Sequence, residues 1–182
     1  MNITVDNSIT NKFGMPPKRD LSTISEIVIH HTDGEFGWGN PTSGLDGWML
    51  SDTNPNINLY KQFISLFHYT IEKEGSIVQV VPIDSWVYHS CCGAHDAKTI
   101  GIELVQGSQP FTDAQYSALT ELVQYIYSQC PITQIESHDY NYMTYSKGAK
   151  GCPGKLFDWN RFGQMLSDQG LTPTIYSYNG VN

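Results

Sequence analysis

The sequence predicts a single α/β domain with a mixed central β-sheet flanked by helices. Three observations carry that reading. Short β-branched apolar runs alternate with helical patterns, the order that builds a sheet covered by helices. The 182 residues suit one domain with a full buried core. Hydrophobic residues make up 40% and charged residues 15%, and no apolar run nears the roughly 18 residues of a membrane span. Membrane insertion is therefore not expected.

Taken in order, residues 1–22 read as an irregular N-terminal arm, 23–170 as the domain and 171–182 as a C-terminal tail. Residues 26–31 form a short β-branched apolar run, as in a buried strand, with His30 and His31 at its end. Residues 33–60 are rich in Gly, Asn, Asp and Pro and read as loops plus one short helix around 45–50. A hairpin follows: 67–71 and 76–81 flank Glu72-Lys73-Glu74-Gly75, where glycine supplies the turn's positive φ. Residues 99–105 are another strand. Thr112 opens a helix as N-cap, with Gln115 closing a capping box. Tyr116, Leu119, Leu122, Val123, Ile126 and Tyr127 then share one helical face, and Pro131 ends the run. A brief strand at 132–136 delivers His138, and a last helix is expected over 157–166.

Net charge is −8, from 18 acidic and 10 basic residues, with no basic cluster. A phosphate-backbone partner needs a basic footprint, so nucleic acid is not expected, nor is an anionic membrane surface. The four cysteines show no C-x-x-C spacing, which argues against a closed structural zinc site. Adjacent Cys91 and Cys92 fit small core residues, a redox pair or partners for Cys130. Nothing marks the chain as secreted, which favours thiols. The N-terminal stretch is polar and lacks an apolar signal core. The expectation is synthesis in the cytoplasm, with any action outside depending on a pore or delivery system.

His30, His138 and Cys152 form a chemically apt trio. Two imidazoles and a thiolate make a three-ligand zinc set with a fourth position left for water, as in zinc hydrolases. Cys152 lies in Lys150-Gly151-Cys152-Pro153-Gly154, so Lys150 adds a cation beside the thiol. Spacing alone is a weak signal, because a lone histidine is more often a hydrogen-bonded core residue.

The motifs in combination are more specific. They run in order as Ile27-Val28-Ile29-His30-His31-Thr32, Phe67-His68-Tyr69 with Gly75, Trp86-Val87-Tyr88-His89, and Ile100-Gly101-Ile102-Glu103-Leu104. Ser137-His138, the Lys150–Gly154 string and Phe157-Asp158-Trp159 complete them. In this the chain resembles the zinc-dependent N-acetylmuramoyl-L-alanine amidases shared by phage lysins, bacterial amidases and animal peptidoglycan recognition proteins. The resemblance implies zinc held by His30, His138 and Cys152, Glu103 as the catalytic carboxylate and Lys150 stabilising the oxyanion. Some relatives carry a tyrosine just before the hairpin histidine; Phe67 departs from that pattern.

The resemblance also places His89, His68 and Trp86 as candidate substrate contacts. His68 reads equally as a strand residue, and Trp38, Trp48 and Trp86 read equally as packing. His31 reads as structural, His95 as an ordinary loop residue, and Asp139 as a group that orients His138. The activity implied is cleavage of the amide between N-acetylmuramic acid and L-alanine of the stem peptide. Peptidoglycan is then the partner, the protein a monomer, and a phage endolysin or cell-wall amidase the expected role. The alternatives are a non-catalytic peptidoglycan-binding protein, whose members typically lack the cysteine ligand, an amidase recycling soluble anhydro-muropeptides, and a zinc peptidase cutting within the stem.

Overall fold

The structure is a computed structural model and describes residues 1–34, 50–51, 67–146, 148 and 151–177. Its centre is a mixed seven-stranded sheet, as the sequence predicts. The strands are β1 (Ile3–Val5), β2 (Glu26–His31), β3 (Tyr69–Ile71), β4 (Ile77–Gln79), β5 (Thr99–Leu104), β6 (Gln134–Ser137) and β7 (Thr174–Tyr176). Their spatial order is β1-β4-β3-β5-β2-β6-β7. Among the described strands, only β3 and β4 pair antiparallel, through the expected hairpin; β1–β4, β3–β5, β2–β5, β2–β6 and β6–β7 are parallel. Parallel central strands are buried on both faces, and every residue of β5 is buried.

Alternation sorts these strands into two faces. Ile27, Ile29, Ile100, Ile102, Leu104, Ile135, Tyr69 and Ile71 lie on one face and belong to the main core. Helix α3 (Asp113–Tyr127) contributes Tyr116, Leu119, Leu122, Val123 and Ile126 to the same core. The capping box that starts α3 is formed: Gln115 N–H donates to Thr112 Oγ1 and Thr112 N–H donates to Gln115 Oε1, both at 3.1 Å. Helix α5 (Trp159–Asp168) begins two residues later than expected, because the Asp158 side chain accepts from Arg161 N–H and sets the N-cap. At the hairpin, Gly75 has φ +89°, and a Cβ there would lie 2.9 Å from the Ala114 carbonyl oxygen. Only glycine meets both demands.

Three segments differ from expectation. The N-terminal arm is not irregular: it supplies β1, helix α1 (Ser8–Phe13) and a 3₁₀ turn at Leu21–Thr23. The tail likewise supplies β7, and Tyr176 stacks on Tyr140 with ring centroids 4.9 Å apart. Both are three-residue edge strands, too short to show a period and defined by the strands they join. The third is helix α4 (His138–Ser146), which starts at the expected ligand itself. Its mixed polar sequence has no apolar stripe to announce it. The one-turn helix α2 (Gly93–Asp96) lies before β5. The helix expected around 45–50 falls, apart from Leu50, outside the described residues.

Candidate active site

Strand register assembles the site. On β2, His30 is directly opposite Glu103 on β5, while Ile29 pairs with Ser137, the last residue of β6. His138 therefore arrives at the same sheet end as the first residue of α4. The Nδ1 atoms of His30 and His138 are 3.0 Å apart. One donor atom each from His30, His138 and Cys152 lie within 4.8 Å of one another. His30 and Cys152 are only 5% and 6% exposed.

The cysteine is held from two sides. The His31 amide donates to Cys152 Sγ at 3.3 Å. Asp139 N–H donates to the Cys152 carbonyl and Asp139 Oδ1 accepts from Gly151 N–H, both at 2.8 Å. Gly151 has φ +67°, which lets the loop turn back toward that carboxylate. Asp139, expected to orient His138, is thus bonded to the loop carrying Cys152. A cleft of about 360 Å³ runs beside this loop, lined by His31, Gln106, Asp139, Gly154, Lys155 and Trp159.

These donors fit a zinc ion. Two imidazole nitrogens facing each other at hydrogen-bond distance, with a thiol closing the triangle, form an N,N,S set suited to a borderline-soft divalent cation. Glu103 faces the same end of the sheet, and burial pushes its carboxyl up to about 8. The expected second catalytic group, Lys150, lies outside the described residues, as do Trp38 and Trp48. Phe67 is buried in a small apolar cluster with Ile9, Val80, Val81 and Val87. A tyrosine hydroxyl placed there would need a partner among aliphatic side chains.

Of the three expected substrate contacts, His68 and the His89 side chain are buried and Trp86 is half-buried. His68 is fully buried: its Nδ1 accepts from Gly101 N–H and its Nε2–H donates to the Ser85 carbonyl, both at 3.0 Å. Burial and the neighbouring Arg19 push it down to about 3, so it is neutral. The His89 side chain is 3% exposed, with Nδ1 3.1 Å from His30 Nε2 and Nε2 3.0 Å from Thr99 Oγ1. Burial first, then the neighbouring His68 and Arg19, hold it well below the usual histidine range. Both rings are enclosed by the described residues. Trp86 is half-buried against Tyr88, its indole nitrogen is inside, and its amide bonds the Pro17 carbonyl of the arm. The motif located these side chains but not their direction. Small residues on the face of β5, Thr99 and Gly101, were the available sign that something large lies over that strand.

His31, read as structural, has its Nδ1 2.8 Å from Gln106 Oε1 and also lines the cleft. His95 is a correction, being buried rather than in an open loop. Its Nε2 lies 2.9 Å from Glu26 and 3.1 Å from Glu136, with Lys98 2.5 Å from the other Glu26 oxygen. Burial pushes His95 down to about 4 and Glu136 up to about 7. These groups also converge within 4.8 Å, but as an internal network closed by Lys98 and Asn141. The four cysteines are thiols.

Comparison with known proteins identifies the family and the fold. A model of the N-acetylmuramoyl-L-alanine amidase family matches residues 20–155. The 1,6-anhydro-N-acetylmuramyl-L-alanine amidase AmpD of Haemophilus influenzae is 33% identical over 152 residues, covering 76% of this chain and 80% of that protein. Two solved structures share the fold. The N-acetylmuramoyl-L-alanine amidase LysC of Clostridium intestinale has a TM-score of 0.63 at 18% identity, covering 94% of this chain and 99% of its own. PGRP-SA of Apis mellifera has a TM-score of 0.65 at 16% identity, covering 84% and 90%.

Proposed function

Because the chain belongs to the N-acetylmuramoyl-L-alanine amidase family, we propose that it hydrolyses the muramoyl–L-alanine amide of peptidoglycan at the His30–His138–Cys152 centre with zinc as cofactor. The observation that carries this reading is the meeting of three ligand-type donors, far apart in sequence, directly beside a buried carboxylate. A zinc ion held by His30, His138 and Cys152 would supply a Lewis acid and lower the pKa of a water molecule to about 7.

The protein's own groups do the rest. Water oxygen bonds to the lactyl carbonyl carbon while Glu103 takes a water proton. The carbon–nitrogen bond then breaks, and Glu103 passes the proton to the departing L-alanine amine. A carboxyl raised to about 8 by burial binds a proton readily, which suits the second step. A bound cation nearby would draw it toward the ionised form required for the first. Asp139 and the His31 amide keep the sulfur in place. Lys150 retains its expected role at the oxyanion, and the protein acts as a monomer without nucleic acid.

The substrate form is intact wall peptidoglycan, cut by an endolysin released through a pore or delivery system. A second reading, soluble 1,6-anhydro-muropeptides, is favoured by the names of the curated relatives. Incubation with purified sacculi and, separately, soluble anhydro fragments separates them. New L-alanine amino termini are expected from sacculi, abolished by chelator and in a Glu103→Ala variant that still binds zinc. Release from soluble fragments alone overturns the wall assignment; release from neither overturns the amidase reading.

A further inference from the structure

Both ring nitrogens of His30 face another imidazole: Nδ1 is 3.0 Å from His138 Nδ1, and Nε2 is 3.1 Å from His89 Nδ1. His89 continues inward, its Nε2 lying 3.0 Å from Thr99 Oγ1. We propose that His89 and Thr99 are positioning residues that fix the His30 tautomer, keeping its Nδ1 free of a proton to bind zinc. The inference rests on the metal site proposed above.

A neutral imidazole carries one N–H, so the chain has two polarities. In one, the Thr99 hydroxyl donates to His89 Nε2 and His89 Nδ1–H donates to His30 Nε2. The His30 proton is then on Nδ1, aimed at His138, and a cation is shut out. In the other, His30 Nε2–H donates to His89 Nδ1 and His89 Nε2–H donates to Thr99 Oγ1. His30 Nδ1 then presents a lone pair beside that of His138. The Asp96 carboxyl oxygen, 3.9 Å from His89 Nε2, favours a proton on that nitrogen and so the second polarity. Hydrogen bonds in series polarise one another, and donation from Nε2 makes Nδ1 a better ligand.

His89 is packed on several sides in this pose. A Cβ at position 101 would lie 2.9 Å from both Cγ and Nδ1 of His89, so Gly101 lets the ring rest on β5. The His89 and Ser90 amides both donate to Asp96 Oδ1, at 3.0 and 2.7 Å. The His68 ring, itself bonded to Ser85 and Gly101, closes the side at a centroid distance of 5.8 Å.

The test uses zinc alone with the full chain. Zinc affinity is measured by chelator competition for the unaltered protein, His89→Phe, His89→Asn and Thr99→Val, each checked for folding by circular dichroism. The His89→Phe variant is expected to bind zinc about 10–100-fold more weakly. Asparagine, whose Oδ1 can accept where Nδ1 did, restores most of that loss, and Thr99→Val loses less than His89→Phe. In nitrogen NMR of the zinc-loaded protein, His30 and His89 both carry their proton on Nε2. A folded His89→Phe protein with undiminished affinity would overturn the proposal, as would a zinc-loaded His89 protonated on Nδ1. If His89→Phe does not fold, the other two variants and the NMR decide in the same way. An unaltered chain that takes up no zinc sinks the metal site with it. Zinc lost in Cys152→Ser but retained in His89→Phe sinks only this inference.

Discussion

The two faces of the central sheet are built from the same strands and behave as different materials. On one, Ile27, Ile29, Ile100, Ile102, Leu104 and Ile135 meet the apolar stripe of α3. On the other, the alternate residues Glu26, His30, Thr99, Gly101, Glu103 and Glu136 meet His68, His89 and His95. The first face gains stability from area removed from water. The second buries polar groups whose desolvation must be offset bond by bond, and it gains reactive groups with displaced protonation. One strand thus serves both tasks by alternation, and a change on one face should leave the other's property largely intact.

The largest expected break comes on the polar face. A Glu103→Gln variant should lose about 10²–10⁴-fold in turnover while folding normally, read from release of L-alanine amino termini. It should also change the pH dependence of stability in the metal-free protein. Burial raises the Glu103 carboxyl from an ordinary 4.5 to about 8. Between those values the folded protein keeps a proton that the unfolded chain has released, so stability falls as pH rises. The glutamine variant should show a shallower fall in urea midpoint from about pH 5 to pH 8. Glu136, raised to about 7, leaves a residue of the same sign.

On the apolar face the comparison inverts. Leu119→Ala, at a fully buried position, should cost about 2–5 kcal/mol in urea unfolding yet leave activity per folded molecule unchanged. A large loss of activity in that folded variant would show the faces to be coupled. Asp139→Ala sharpens the polar side: without its bond to Gly151 the cysteine loop loosens, and zinc affinity should drop about 10–100-fold by chelator competition. The smallest effect is Thr112→Ala, which removes the α3 cap at a cost of about 1 kcal/mol, measured as a lower melting temperature with zinc affinity unaltered.

Legibility in the sequence follows the range of the interaction that decides each feature. The capping box of α3, the hairpin around Gly75 and the run at 26–31 depend on residues within a few positions, and each formed as read. The edge strands β1 and β7 depend on partners far away, which gives three residues no pattern of their own. At the site, residue types and motif order pointed to His30, His138, Cys152 and Glu103. The direction of His89, His68 and Trp86 did not follow, because a motif carries identity but not side-chain orientation.

The sequence by itself determined the central strands, helix α3, the local turns and caps, and the chemical kinds of group available. All of these are written in short-range periodicity and residue chemistry. The tertiary structure alone decided which groups meet: His30 and His138, 108 positions apart, and the His31 amide and Cys152, 121 apart. It decided as well that His89 lies inside, against His30 and Thr99. The reason is that parallel strands return to register only through long crossovers, so such meetings are settled by how the whole sheet closes.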